Sequence, residues 1–265
     1  MNQMLLALWR YRHFMISAIK ADLRTRFNRS KLGASWMILQ PLAQVAIYAI
    51  VLSSLLAARL PAGKGAHLSY AVYLIAGMVP WSLFAEVVSR SLTMFVDNAG
   101  LMKKIAFPRI CIPVITLGGA LVNHALLLMA TLLIILITNH PVTWLILWVP
   151  VLTMALLVFA AALGLVLGVI NVFVRDVGQV MNVVLQLWFW MTPIVYVADV
   201  LPEQFQRVVA FNPVAPVIQG YQNVLLFQQM PPFVRLGLLL VGSLVFLGLA
   251  LYMFRKAAPE LVDVL

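Results

Sequence analysis

Residues 175–196 read RDVGQVMNVVLQLWFWMTPIVY. The stretch opens on Arg175-Asp176, continues as an apolar run and stops at Thr192-Pro193, where proline's missing N–H and its clash with the preceding residue end a helix. Near the middle stand Asn182 and Gln186, four residues apart and therefore on one helix face. Trp188, Phe189 and Trp190 follow at once. A helix surrounded by lipid has no use for two amides beside three aromatics. The stretch therefore predicts a membrane span with one face on a wide, wet path.

Composition supports the membrane reading. The chain has 265 residues, 64% hydrophobic and 10% charged, with a mean hydropathy of +1.02. A soluble domain is nearer half apolar and a quarter charged, so one integral membrane domain is expected. The net charge of +10 is read as topological, through the positive-inside rule, and not as a nucleic-acid signal. The single cysteine, Cys111, cannot form an internal disulfide.

Working outward, residues 4–30 are basic and amphipathic. Leu5, Leu8, Trp9, Met15, Ile19, Leu23 and Phe27 keep helical spacing, as in a helix lying in the membrane interface. Spans are predicted at 34–57, 70–95, 112–138, 142–173, 177–197 and 233–254, each long enough for a bilayer core. Gln40, Gln44 and Tyr48 form one polar stripe in the first. Glu86 and Arg90, at i and i+4 in the second, read as a structural ion pair or a proton relay, with the ion pair preferred. Asp97 or Asn98 is expected to cap a brief helix within the basic connection 98–109, ended by Phe107-Pro108. In Asn123-His124 the histidine reads as buried and hydrogen-bonded in preference to functional. Gly164 and Gly168 spell GxxxG, which permits close helix contact. Residues 198–229 are too polar to span and too apolar for a loop, so two short helices dipping into the outer leaflet are predicted, packed in protein or lining a cavity.

Six spans place both termini on one side. Fourteen of the 18 basic residues then fall on that side, and Arg59, Lys64, Arg207 and Arg235 on the other. Both ends are therefore expected in the cytoplasm. GxxxxGK[ST], HExxH and GxSxG are absent from the sequence, and no metal cluster is plausible from one cysteine and four scattered histidines. Acidic residues are missing from the middle of the spans, which argues against an ion-coupled pump.

Six segments in order carry a resemblance: KLGASWMILQPL (31–42), AGMVPWSLF (76–84), KKIAFPR (103–109), RD (175–176), MTPIVY (191–196) and FNPVAPVIQGYQNVLL (211–226). Together they resemble the permease subunit of type-2 ABC transporters, within the polysaccharide exporters of O-antigen, capsule or teichoic acid. The O-antigen permeases are the best match. The resemblance implies an all-α fold of six transmembrane helices with an interface helix at 4–30, a cytoplasmic coupling helix at 98–109 and periplasmic gate helices at 198–229. It implies a homodimer joined to two nucleotide-binding ATPase subunits that hold ATP and magnesium. This chain would then bind no cofactor and catalyse nothing. The cargo would be a polysaccharide on undecaprenyl pyrophosphate, crossing the bacterial inner membrane.

Sugars offer C–H faces to aromatics and hydroxyls to amides. Trp36, Tyr48, Tyr73, Trp81, Phe84, Trp188, Phe189, Trp190 and Tyr196 are the expected stacking surfaces, with Gln40, Gln44, Asn182 and Gln186 as polar contacts. Trp and Tyr also form belts at bilayer interfaces. Arg24, Arg26, Arg29 and Lys31 are expected to meet the pyrophosphate, or else anionic lipid. Asn98, Leu101, Lys103, Lys104, Phe107 and Arg109 are expected to contact the ATPase. A multidrug permease of the same type is one competing reading. The other, a membrane transferase acting on lipid-linked sugar, needs convergent acids; Asp97, Asp176, Asp199 and Glu203 fall on two sides.

Overall fold

The computed structural model describes residues 6, 8–28, 35–36, 39, 43, 46–47, 66–104, 107–137, 141–198 and 201–264, and among these there is no strand. In chain order the helices are α1 Arg12–Asn28, α2 Ala66–Asp97, α3 Ala99–Lys104, α4 Cys111–Ile137, α5 Val149–Phe173, α6 Asp176–Trp190, α7 Glu203–Ala210, α8 Ala215–Gln222 and α9 Phe233–Val264. A 3-10 turn at Trp144–Trp148 leads into α5, whose Pro150 sits in the first turn, where its missing N–H costs nothing.

Four helical segments are long and apolar enough to cross a membrane: Tyr70–Asp97, Cys111–Ile137, Trp144–Phe173 and Phe233–Leu261. The expected span 34–57 falls mostly outside the described residues. The helix within the expected span 177–197 is shorter than expected. Helix α6 has 15 residues and ends at Trp190, which at about 1.5 Å per residue is roughly 22 Å, short of a ~30 Å hydrocarbon layer. Two further boundaries change. The tail expected after 254 continues α9 to Val264, and the helix expected over 98–109 is the six-residue α3.

Helix α2 is the hub. It packs on α4, α5, α6 and α8, and Leu74, Phe84, Val87 and Phe95 along it are wholly buried. Lipid is as apolar as leucine, so close packing and polar contacts, more than burial itself, hold such a bundle. The GxxxG pair supplies the close packing. A Cβ on Gly164 would stand 2.5 Å from Ser91 Oγ, and one on Gly168 would stand 2.3 Å from the Ser91 carbonyl oxygen. Serine on α2 thus seats directly on the backbone of α5.

Buried polar side chains staple the helices. Asn171 of α5 donates to Leu92 O of α2 at 2.8 Å and accepts from Gly178 N of α6 at 2.9 Å. His124 of α4 bonds the Tyr221 hydroxyl of α8 at 3.1 Å, and Tyr221 in turn meets Thr153 of α5 at 2.5 Å. His124 is therefore buried and hydrogen-bonded, as its sequence context predicts. Glu86 and Arg90 do pair, at 3.4 Å. The pair is part of a larger set: Asp22 of α1 lies 2.5 Å from Arg90, and Asn123 of α4 donates to Glu86 at 2.6 Å.

The largest set of staples surrounds the end of α6. Pro193 stops the helix, and backbone carbonyls freed at membrane depth must find donors within the protein. Tyr73 hydroxyl donates to Pro193 O and Tyr196 O, at 3.2 and 2.8 Å. Tyr70 donates to Val195 O at 2.8 Å, and Gln222 of α8 donates to Pro193 O at 3.2 Å. Asn212, just before α8, donates to Thr192 Oγ1 at 2.8 Å. The irregular turn 192–196 is thereby held from α2 on one side and the α7–α8 hairpin on the other.

Two pairs of substitutions test these contacts by thermal unfolding in detergent. Gly168→Ala pushes a methyl onto a backbone oxygen and is expected to destabilise by about 1–3 kcal/mol, whereas Gly237→Ala, in open space, leaves the midpoint unchanged. Tyr73→Phe takes the donor from Tyr196 O and leaves Pro193 O to Gln222 alone, and is expected to cost about 1–2 kcal/mol. Tyr196→Phe, which loses one exposed bond to Trp190 O, is expected to cost less than half as much.

Candidate functional site

The two faces of α6 differ in kind. Met181, Leu185 and Phe189 are buried against the chain. About 100° round the helix from that face, Gln179, Asn182, Gln186 and Trp190 form one exposed stripe at spacings of three, four and four. Val180, Val183, Leu187 and Met191 form a second exposed stripe, about 100° further round the helix. An amide left in an apolar medium without a partner costs about 2–7 kcal/mol. The first stripe therefore faces water, a polar solute or another polypeptide, and not lipid. From Val177 to Met191 no residue is charged, so the face offers hydrogen bonds and rings without a fixed charge.

The remaining aromatics expected on a path divide by position. Trp36 is 51% exposed and Trp190 52% exposed. Trp188 is half-buried as a wedge: its ring meets Phe84 edge-on at 5.1 Å, and its Nε1 donates to Asn212 Oδ1 at 3.0 Å. Tyr196 is half-buried and anchored to Trp190 O at 2.9 Å. Tyr73, Trp81 and Phe84 are corrected, because they lie inside the chain's own core. Phe189 is buried beside Trp81, at 5.6 Å between ring centres. The reason is the hub position of α2: covered on all sides, its aromatics meet other rings and the turn 192–196, and offer no surface to a solute. Gln40, Gln44 and Tyr48 lie outside the described residues.

At the other end of α2, the short basic connection packs between α1 and α9. Phe107 meets Phe14 of α1 at 5.4 Å, and Arg109 donates to the Ala258 carbonyl of α9. The expected cap is corrected. Asn98 donates its amide to Met94 O at 2.8 Å and so closes the end of α2, while Asp97 accepts from Thr93 at 2.6 Å. Leu101 is half-buried and Lys103 exposed; Lys104 ends α3. Of the cations expected at a pyrophosphate, Arg24 is exposed on α1, the side chain of Arg26 is outside the described set, and Arg29 and Lys31 lie outside it altogether. The apolar set of the arm is split: Ile19 packs toward Gly118 of α4, whereas Trp9 is 70% exposed beneath the Arg12 guanidinium.

Three residues that matter here are not among those the sequence pointed to. Gln179 extends the amide stripe by one turn and is visible from its spacing to Asn182. Asn212 looks like a turn former before proline, yet its side chain joins Trp188, Thr192 and the Val214 N–H. Asp22 belongs to a basic arm, and nothing local marks it as a partner for Arg90.

Comparison with known proteins adds an independent finding. The chain is 28% identical over 206 residues to an O-antigen export system permease protein RfbA of Klebsiella pneumoniae, covering 77% of this chain and 76% of the relative. It is 26% identical to the O-antigen export system permease protein RfbA of Myxococcus xanthus, over 97% and 96% of the two chains. It is 25% identical to the polysialic acid transport protein KpsM of Escherichia coli, over 89% and 91%. The family model for the ABC-2 type transporter matches residues 14–226, from the first turn of α1 to just past the end of α8. The chain is a multi-pass membrane protein belonging to the ABC-2 type transporter family.

Proposed function

We propose that this chain is the permease subunit of an ATP-driven exporter that carries polysaccharide, most closely O-antigen, from the cytoplasm to the periplasm. Two copies, each with six spans and both termini in the cytoplasm, form a path across the inner membrane, and two ATPase subunits drive it. The carrier of the polymer is undecaprenyl pyrophosphate. The observation that carries this reading is the uncharged stripe Gln179, Asn182, Gln186 and Trp190, which α6 turns away from its own chain. Trp36, Gln40, Gln44 and Tyr48 of the first expected span carry the same chemistry.

Amides pair with sugar hydroxyls and rings stack on sugar C–H faces, and neither needs a charge on the cargo. The sequence has no phosphate-binding loop, so ATP and its magnesium belong to the partner. The segment 98–109, with Lys103 exposed and Phe107 against α1, is the contact through which the ATPase pushes. Arg24, Arg26, Arg29 and Lys31 receive the pyrophosphate at the cytoplasmic mouth. The likeness to polysialic acid transport proteins favours an acidic capsule polymer as the second cargo.

The test is export in cells that hold the partner ATPase but lack this chain. Replacing Asn182 and Gln186 together by leucine is expected to cut surface polysaccharide by about tenfold or more, the loss of a few hydrogen bonds at a stage limiting transport, with membrane insertion and ATPase assembly retained. Unchanged export would remove the path from α6. Phe107→Ala is expected to leave ATP hydrolysis running without export; export and hydrolysis falling together would place Phe107 elsewhere.

A further inference from the structure

Arg90 and Asp22 are joined in a way that packing alone does not require. A charge pair within a bundle is weak evidence for stability, since apolar residues of similar volume often serve as well. Here two consecutive glycines of α4 make room for it. A Cβ on Gly118 would stand 2.4 Å from Ile19 Cδ1, and one on Gly119 would stand 2.7 Å from Arg90 Nη1 and 3.1 Å from Asp22 Oδ2. The α1 side chains thus cross the backbone of α4 to reach α2. Arg90 is further oriented by Glu86, which Asn123 of α4 holds at 2.6 Å. Three helices meet on one guanidinium.

What lies at each end of this junction gives it a use. Helix α1 touches the basic connection through Phe14 and Phe107. Helix α2 runs from Arg90 to Tyr73, about 26 Å away along a helix rising 1.5 Å per residue, and there it holds the carbonyls of the turn 192–196. We propose that Asp22 and Arg90 are a positioning pair that passes displacement of α1 to α2, and through α2 to the turn at the end of α6. The pair touches no cargo. It decides whether movement of the basic end reaches the re-entrant hairpin. This inference rests on the reading of the chain as an ATP-driven permease.

The experiment uses the assembled permease–ATPase complex in proteoliposomes. A thiol at Met191→Cys, half-exposed beside the turn, is labelled by a polar maleimide with and without ATP; the native Cys111 is buried and silent. ATP is expected to change the labelling rate about fivefold or more, and Asp22→Asn or Arg90→Gln is expected to abolish that change while hydrolysis continues. Arg90→Lys, which keeps the charge, is expected to retain it. The double variant D22N/R90Q is expected to be no worse than R90Q alone, as for residues that act through each other. An ATP response preserved in D22N, which alters only the peripheral helix, would overturn the inference, as would its absence from the parent complex. Labelling that responds to ATP in a complex that exports no polysaccharide would instead refute the proposed cargo and leave the pair in place.

Discussion

A helix broken inside a packed bundle leaves carbonyls with no water to turn to, and the centre of this molecule is arranged around receiving them. The break at Thr192-Pro193 would be costly in lipid. It is tolerable because Tyr70 and Tyr73 come from α2, Gln222 from α8 and Asn212 from the segment before α8. These donors dictate much else. Helix α2 has to be central to bring two tyrosines to the turn, which is why residues 72–81 along it are buried without a break. The α7–α8 hairpin has to return into the bundle to bring Asn212 and Gln222, which is why residues too polar to span are still apolar enough to be buried, as Val214, Val217, Ile218 and Tyr221 are.

Holding α2 at the centre is a packing problem, and the chain solves it with small residues. Gly164 and Gly168 admit Ser91, and Gly118 and Gly119 admit α1 and the Arg90 guanidinium. Polar staples then select one register from the many that apolar helices could adopt. Asn171 reads the Leu92 carbonyl, and His124 reads Tyr221. Interhelical hydrogen bonds of this kind average only about 0.6 kcal/mol each in membranes, so their value lies in number and placement. A sliding helix would lose several at once.

Much of this was legible in the sequence, for definite reasons. Apolar runs bounded by charge announce spans; three of them appear as helices within a few residues of the expected limits, and the last begins where expected but runs on to Val264. GxxxG and the Glu86/Arg90 spacing each foretold a real contact, because both depend only on helix periodicity. What failed to be legible depends on the partner helix. Tyr73 and the tryptophan and phenylalanine of AGMVPWSLF look alike on paper whether they face a path or a core. Only the burial of α2 on every side decides that Tyr73, Trp81 and Phe84 belong inside. The end of α6 was misplaced for a related reason: Val195 and Tyr196 look apolar enough to continue a span, but Pro193 ends the helix and Thr192 folds back to bond Trp188 O at 2.7 Å. Asp22 was invisible because its partner is 68 residues away.

The contrast between the two faces of α6 has a mechanical sense. One face and one end are tied by fixed bonds, through Phe189, Trp188 and the turn 192–196, so the helix has a defined position. The other face carries amides and a ring that hold no charge. A charged wall would bind an ionic cargo tightly at one place and repel another of the same sign, and either outcome hinders passage. Neutral amides on a rigid helix present successive sites of similar, modest strength at intervals of three or four residues. In the proposed export role, a polymer of hydroxylated rings can exchange one such site for the next with little change in free energy. Rigidity behind the wall and evenness along it are both needed for that, and α6 obtains the first from the contacts that close its proline break.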